Sequence, residues 1–275
     1  MTSGSAKGEG IVAIVTLLTD FGLQDSYAAE MKGRILAANP RAAIIDVTHE
    51  IPPGAIRQAA WMLSRSWGAF PQSTIHIAIV DPGVGSERRA VVARAHGHFF
   101  VGPDNGLLHP VLATDAGSEL REIRRGHRWG GGRGTTFDGR DLFAPAAGAL
   151  AAGMPFEDIG PAAEEPVPLE SFRLAPKENG WEAEVVAVDR YGNLITCAGE
   201  AFLRSTFGDA WRSIRVRSGS KEARTVQESY RDVSEGDLVL TIGSAGTLEI
   251  SVNGGNASSS TEISVGDFIR IEPMR

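Results

Sequence analysis

A single cysteine, Cys197, in 275 residues excludes an intrachain disulfide and the cysteine clusters of zinc modules. Apolar runs are short, and none approaches the ~20 residues of a membrane-spanning helix; no membrane partner is expected. The six histidines (His49, His76, His96, His98, His109, His127) include one close pair and no H-x-x-x-H spacing, so no metal is expected. Basic residues are scattered, with only small clusters such as Arg121 to Arg128, and the net charge is −7. Nucleic acid is therefore not an expected partner, although an acidic chain can bind a cationic ligand well. There is no G-x-S-x-G elbow and no G-x-G-x-x-G after the first strand, and GRGTT lacks the lysine of a phosphate loop. Those absences count against a serine hydrolase and a dinucleotide enzyme. Residues 1–10, MTSGSAKGEG, lack the apolar core of a signal peptide and read as a flexible tail, consistent with a cytoplasmic protein.

Apolar content of 42% and charged content of 22% fit a globular chain of one large or two ordinary domains. Residues 11–165 alternate strand-like and helix-like segments, which predicts an α/β domain around a central, mostly parallel sheet. Strands are expected at 11–18, 43–47 and 75–80, with a hairpin of 90–95 and 98–101 about Gly97. Helices are expected at 27–38, where Asp25 and Ser26 can cap, through Trp61 to about Trp67, and at 141–152. Prolines and mixed charge across 166–182 read as a linker. Short strands separated by Gly, Asn and Ser turns then predict an all-β, barrel-like domain over 183–275.

The most informative stretch is IHIAIVDPGVGSERR, residues 75–89. A buried strand ends at Asp81, a turn follows, and Arg88 comes seven residues after the acid. Ligands of open α/β sheets sit beyond the carboxyl ends of strands, where such a pair can hold and polarise water. The same residues also fit a strand-end turn with a solvated ion pair. LLTDFGLQDSY likewise ends the first strand in an acid, Asp20, whose carboxylate can accept both hydroxyls of a ribose; an ordinary cap and turn is the alternative. VDRYGNLIT, residues 188–196, fits either a plain hairpin turn or a close backbone approach at Gly192, with Asn193 able to read an adenine edge. GTTFDGRDLFAPAAG, residues 134–148, places Asp138 and Arg140 ahead of a helix.

In chain order, TDFGLQDSYAAEMKG, DVTHEIPP, VDPGVGSERR, GPDNGLL, TFDGRDLFAPAA, DRYGNLIT and GSAGTLEISVNGGNA resemble the S-adenosylmethionine hydroxide adenosyltransferase family, relatives of the fluorinase and chlorinase enzymes. The resemblance implies an N-terminal α/β domain, a β-barrel-like C-terminal domain, and a homotrimer with sites at subunit interfaces. It implies that water or hydroxide attacks the ribose C5′ of S-adenosylmethionine, giving adenosine and L-methionine without metal or other cofactor. By resemblance Asp81, Arg88 and Asp138 are the catalytic set. Asp20 meets the ribose diol; Asp25 and Tyr27 meet the methionine part; Asp189 lies near its amino group. Asn193 and Tyr191 belong to the adenine edge, Tyr230 falls near an adenine-stacking aromatic, and Ser244 meets the methionine carboxylate.

The chain departs from that pattern at three places. Asp138 stands where the family's hydrolases have His, and His127, eleven residues earlier, is not taken as its replacement. Ala245 stands where the halogenases have Arg, and Gly54 where relatives have an aromatic. Halogenating members carry Tyr where Asp81 stands; a carboxylate there repels a halide, which favours hydrolysis over a SAM-dependent halogenase. Asp138 is expected either to share a proton with Asp81 through the water or to turn away and pair with a base such as Arg140. The alternatives are a non-catalytic S-adenosylmethionine or adenosine binding protein and a structural trimer whose strand-end acids are only turns.

Overall fold

A computed structural model describes residues 12–126, 136–218 and 221–274, so His127 lies outside the described residues. The chain divides into two compact units, Met1–Leu169 and Glu170–Arg275.

In the first unit the elements run β1 (Ile14–Thr19), α1 (Tyr27–Ala38), β2 (Ala43–Thr48), α2 (Ile56–Ser66), β3 (Ile75–Ile79), β4 (Ala90–Ala95), β5 (His98–Pro103), α3 (His109–Leu112), β6 (Glu119–Glu122), α4 (Ala144–Ala151) and β7 (Ala162–Ala163). They form one sheet in the order β2-β1-β3-β5-β4-β6-β7. The β2-β1, β1-β3 and β3-β5 pairings are parallel, while β5-β4, β4-β6 and β6-β7 are antiparallel. The sheet is thus only partly parallel, not mostly so. The cause is local: His96 and Gly97 both take positive φ, the conformation of a two-residue hairpin turn, and this folds β5 back along β4.

Side chains alternate across β3 and split the core. Ile75, Ile77 and Ile79 join Val15, Leu17, Met31, Ile35 and Phe143 in one buried cluster, packed with α1 and α4. Ala78 and Val80 join Leu18, Leu63 and Phe100 in the other, packed with α2 and α3. Helix α1 begins without the expected cap: Ser26 is already helical and its hydroxyl donates to Glu30 at 2.7 Å. Asn39 ends it, its N–H reaching the Ile35 carbonyl.

The second unit contains β8 (Leu174–Lys177), β9 (Gly180–Val188), β10 (Leu194–Gly199), α5 (Glu200–Phe207), β11 (Ile214–Ser218), β12 (Lys221–Arg224), β13 (Val226–Gln227), β14 (Leu238–Ile242), β15 (Thr247–Val252), α6 (Ala257–Thr261) and β16 (Phe268–Pro273). Part of the stretch read as a linker is therefore strand, because β8 pairs with β9 in register Leu174↔Ala183. The sheet runs β12-β11-β16-β9-β10-β15-β14-β13 and curls until β12 lies against β14, a nearly closed barrel around Val185, Leu194, Trp211, Leu240 and Ile250. Among the described residues no helix is long and apolar enough to cross a membrane.

One polar thread runs through the first unit, on the Phe100 side of β3. His76 on β3 is 1% exposed, its Nδ1 lies 2.8 Å from the Thr16 hydroxyl, and its Nε2 lies 3.2 Å from His98 Nδ1. Burial, followed by the neighbouring His98, lowers the His76 pKa from 6.5 to about 3. The unfolded chain binds this proton below pH 6.5 while the folded chain refuses it until about pH 3. Stability is therefore present above pH 6.5 and falls as the pH drops between those values, by up to about 1.4 kcal/mol per pH unit from this group. Urea midpoints measured from pH 7 to pH 4 are expected to fall, and His76→Phe is expected to flatten that slope.

Candidate active site

Parallel register brings two acids to one rim. Leu18 pairs with Ala78 and Thr19 with Ile79, so Asp20 after β1 and Asp81 after β3 leave adjacent strands side by side. Asp138 arrives from elsewhere in the chain, immediately before a turn of π-helix, Gly139–Phe143. Such single turns recur at functional sites because they re-aim side chains within an otherwise regular helix. Asp20, Asp81 and Asp138, with Phe21, Phe137 and Gly139, line a cavity of about 400 Å³. Gly139 is closely surrounded: a Cβ there would stand 2.9 Å from the Phe137 ring and 3.1 Å from Met31 Sδ, so those side chains would have to shift.

Arg88 joins the carboxylates from over the Phe143 ring. Its Nε donates to Asp81 Oδ1 at 3.1 Å and Oδ2 at 3.0 Å, while its Nη2 reaches Asp81 Oδ2 and Asp138 Oδ2, both at 2.5 Å. The side chains of Asp81, Asp138 and Arg88 are only 6%, 5% and 12% exposed. Asp138 Oδ1 accepts a second guanidinium, that of Arg125. The expected pairing of Asp138 with Arg140 is not formed. Arg140 lies on the π turn itself, which directs it to Asp141 at 2.8 and 2.9 Å and to Glu30 of α1 at 2.9 Å. Arg140, as the largest cause, holds the Asp141 carboxyl below its usual range.

The remaining residues predicted on this unit are placed as follows. Asp20 accepts the Gly54 N–H at 2.9 Å on Oδ2. Tyr27 packs edge-on to Phe137 at 5.0 Å and to Phe21 at 6.0 Å, backing the cavity wall. Asp25 is exposed ahead of α1 and lies outside the cavity lining.

On the second unit, Asp189, Tyr191, Asn193, Tyr230 and Ser244 together line a cavity of about 560 Å³. The 189–193 turn is held by its own acid. Asp189 Oδ1 accepts the N–H groups of Tyr191 and Asn193, and Oδ2 accepts the Asn193 side-chain amide, each at 2.9 Å. Of the two readings of Gly192, the close approach is formed as well as the turn: φ is +84° and a Cβ would fall 2.1 Å from the Asn256 side chain. Its carbonyl accepts the Ser258 N–H at 2.9 Å, which joins this turn to the SVNGGNA loop.

Two residues were missed by sequence reasoning. Glu249 lines the second cavity and is 6% exposed. It accepts the Tyr230 hydroxyl at 2.6 Å and the Ser251 hydroxyl at 3.1 Å. That carboxylate, with burial behind it, pushes the Tyr230 phenol up to about 12. Its signal was a lone acid inside the strand TLEISV. Arg125 sits in the Arg121–Arg128 cluster, and nothing in the spacing of that cluster singles it out. Among the described residues no group of three or more His, Cys, Asp or Glu side chains is disposed to hold a metal ion.

The first unit thus carries an acid-lined pocket beyond parallel strands, suited by its charge to a cationic group, and the second a cavity with two tyrosines and one side-chain amide. Residues 15–160 match the SAM hydroxide adenosyltransferase N-terminal domain and residues 183–270 the corresponding C-terminal domain, and the chain belongs to this family. A protein of Salinispora arenicola (strain CNS-205) named (R)-S-adenosyl-L-methionine hydrolase is 38% identical over 265 residues, covering 94% of this chain and 97% of the relative. One of the same name from Thermus thermophilus is 38% identical over 267 residues, covering 94% and 98%. The crystal structure of an uncharacterized conserved protein from Thermotoga maritima superposes with a TM-score of 0.86 at 37% identity, covering 94% of this chain and 99% of that one.

Removing Arg88 leaves the Asp81 carboxylate buried without its cation, while Asp138 keeps Arg125. Arg88→Ala is expected to destabilise the fold by about 3 kcal/mol, the range for breaking a buried pair. Adding Asp81→Asn should recover part of that loss, as read from denaturant midpoints of the single and double variants.

Proposed function

We propose that this chain hydrolyses S-adenosyl-L-methionine, in the (R) form that its relatives' name specifies, to adenosine and L-methionine. The observation behind this reading is the pair of clamped carboxylates, Asp81 and Asp138, lining one pocket. Ionised carboxylates only accept hydrogen bonds. A water that donates one hydrogen to each is left with a lone pair directed away from both, towards the pocket. Held in line with the C5′–S bond, it attacks C5′: the C5′–O bond forms, the C5′–S bond breaks, and its electron pair leaves with sulfur. The proton goes to one of the two carboxylates and then to solvent. Methionine departs as a neutral thioether, so the step calls for no general acid, redox group or Lewis acid.

The pocket charge also bears on specificity. Three carboxylates attract a sulfonium and repel chloride or fluoride, which supports hydrolysis over halogenation. Asp20 is assigned to the ribose diol through the oxygen that does not take the Gly54 N–H. Asp25 and Tyr27 are assigned to the methionine part. On the second cavity Asn193 is assigned to the adenine edge, with Tyr191 and Tyr230 as its aromatic walls. Asp189 uses three acceptor positions within its turn, and a carboxylate has about four; the remaining one is assigned to the methionine amino group. Ser244 is assigned to the methionine carboxylate.

The family resemblance further supports a homotrimer in which the acid pocket of one copy works with the second cavity of a neighbour.

Incubation with S-adenosylmethionine in EDTA should yield adenosine and methionine in equal amounts. Asp81→Asn should lower kcat at least about a hundredfold with KM changed far less, as for a group that acts in the transition state. Loss of activity in EDTA with return on adding a divalent ion, or faster formation of 5′-chloroadenosine than of adenosine in chloride, would overturn this reading.

The shared-site arrangement has its own check. Inactive Asp81→Asn and Asp189→Ala chains, exchanged into mixed oligomers, are expected to regain partial activity, because some interfaces then hold two intact halves. Confirmed exchange without recovery would place each site within one chain.

A further inference from the structure

We propose that Arg125 is a positioning residue of the nucleophile site, forming with Asp138 an ion pair that does the work of a single neutral group beside Asp81; this rests on the hydrolase reading above. The two oxygens of Asp138 are used by different cations. Oδ2 takes Arg88, and Oδ1 takes Arg125 from the segment that follows β6. Arg88 cannot neutralise the site alone, since its Nη2 is already shared between Asp81 and Asp138.

The charges facing the pocket can be enumerated element by element. Asp20 follows β1, Asp81 and Arg88 flank the turn after β3, Arg125 follows β6, and Asp138 precedes the π turn. Among the described residues, Glu87 beside Arg88 is exposed on the turn, and other neighbouring charges are matched among themselves. Arg140 is bonded to Asp141 and Glu30, Arg34 stands 3.9 Å from Asp141, and Arg124 is bonded to Glu122. Among the described residues, with Arg125 in place, three carboxylates meet two guanidinium groups, which leaves one unmatched negative charge. A single sulfonium balances it. Without Arg125 two negative charges are unmatched, and a carboxylate of the set takes up a proton more readily. A protonated carboxyl donates where the water must donate, so the water loses one of its two anchors. Arg125 thus keeps both anchors in the acceptor form without touching the substrate.

The test is the pH profile of S-adenosylmethionine hydrolysis by the full-length wild type, Arg125→Ala, Arg125→Lys and the Arg125→Ala/Asp138→Asn double variant. In Arg125→Ala the acidic limb of kcat/KM is expected to move to higher pH by about one unit or more, with KM on the plateau within about twofold of wild type. Lysine should restore the limb. The double variant should also bring it back, at a lower plateau, because the unmatched charge is gone. A merely structural role would lower the folded fraction and leave the limb where it is, so a limb that superimposes on wild type overturns the proposal. Should wild type fail to hydrolyse S-adenosylmethionine, the hydrolase reading fails separately. The charge relation is then decided by a 13C titration of the aspartate carboxyls. A buried carboxyl that titrates higher in Arg125→Ala supports it, and identical curves overturn it.

Discussion

Arg88 lies between two carboxylates that the fold has already taken out of water, and much of the first unit is arranged around that fact. An isolated ion in a protein interior costs several kcal/mol, which is returned only when partners and geometry are good. Here the partners come from three separated segments: the turn after β3, the segment after β6 and the entry to the π turn. None of these segments can move far without exposing an unpaired charge to an apolar wall. The parallel pairing of β1 with β3 supplies the fixed edge, and α1 closes the side by engaging Arg140 and Asp141 through Glu30 and Arg34.

The two cavities differ in the sort of recognition they offer. The pocket on the first unit is defined by charge and is lined by three acids. The cavity on the second unit is lined by two tyrosines and one amide, with Asp189 held within its own turn and the buried Glu249 occupied by hydroxyls of the protein. Charge attracts a sulfonium from a distance, whereas flat surfaces and an amide edge distinguish one base from another at contact.

Much of this was legible in the sequence where the signal was local. The apolar run before Asp81 defined β3, and helix α1 begins and ends where its turn residues suggest; the five residues named on the second unit, which line one cavity, came from the family resemblance and not from local signal. What was not legible depends on contacts distant in sequence. The direction of β4 follows from a two-residue turn whose consequence extends across half the sheet. Asp138 looked free to pair with Arg140 two positions on, but a π turn rotates those neighbours to different sides. Arg125 lies among similar arginines, and only the folded path of β6 distinguishes it. Glu249 was visible as an acid in an apolar strand, yet its partner Tyr230 comes from a region without a clear pattern.

The turn at 189–193 has a consequence for kinetics. Its acid closes three hydrogen bonds on its own loop, and Gly192 is seated against Asn256, so its shape is settled before any ligand arrives. Ordering a loop during association consumes affinity and slows capture. A ligand docking here meets a surface whose entropy was lost when the chain folded. Encounter then depends on orientation rather than on waiting for the loop, and the rigidity that speeds entry also leaves the turn little ability to reshape itself around a ligand of another shape.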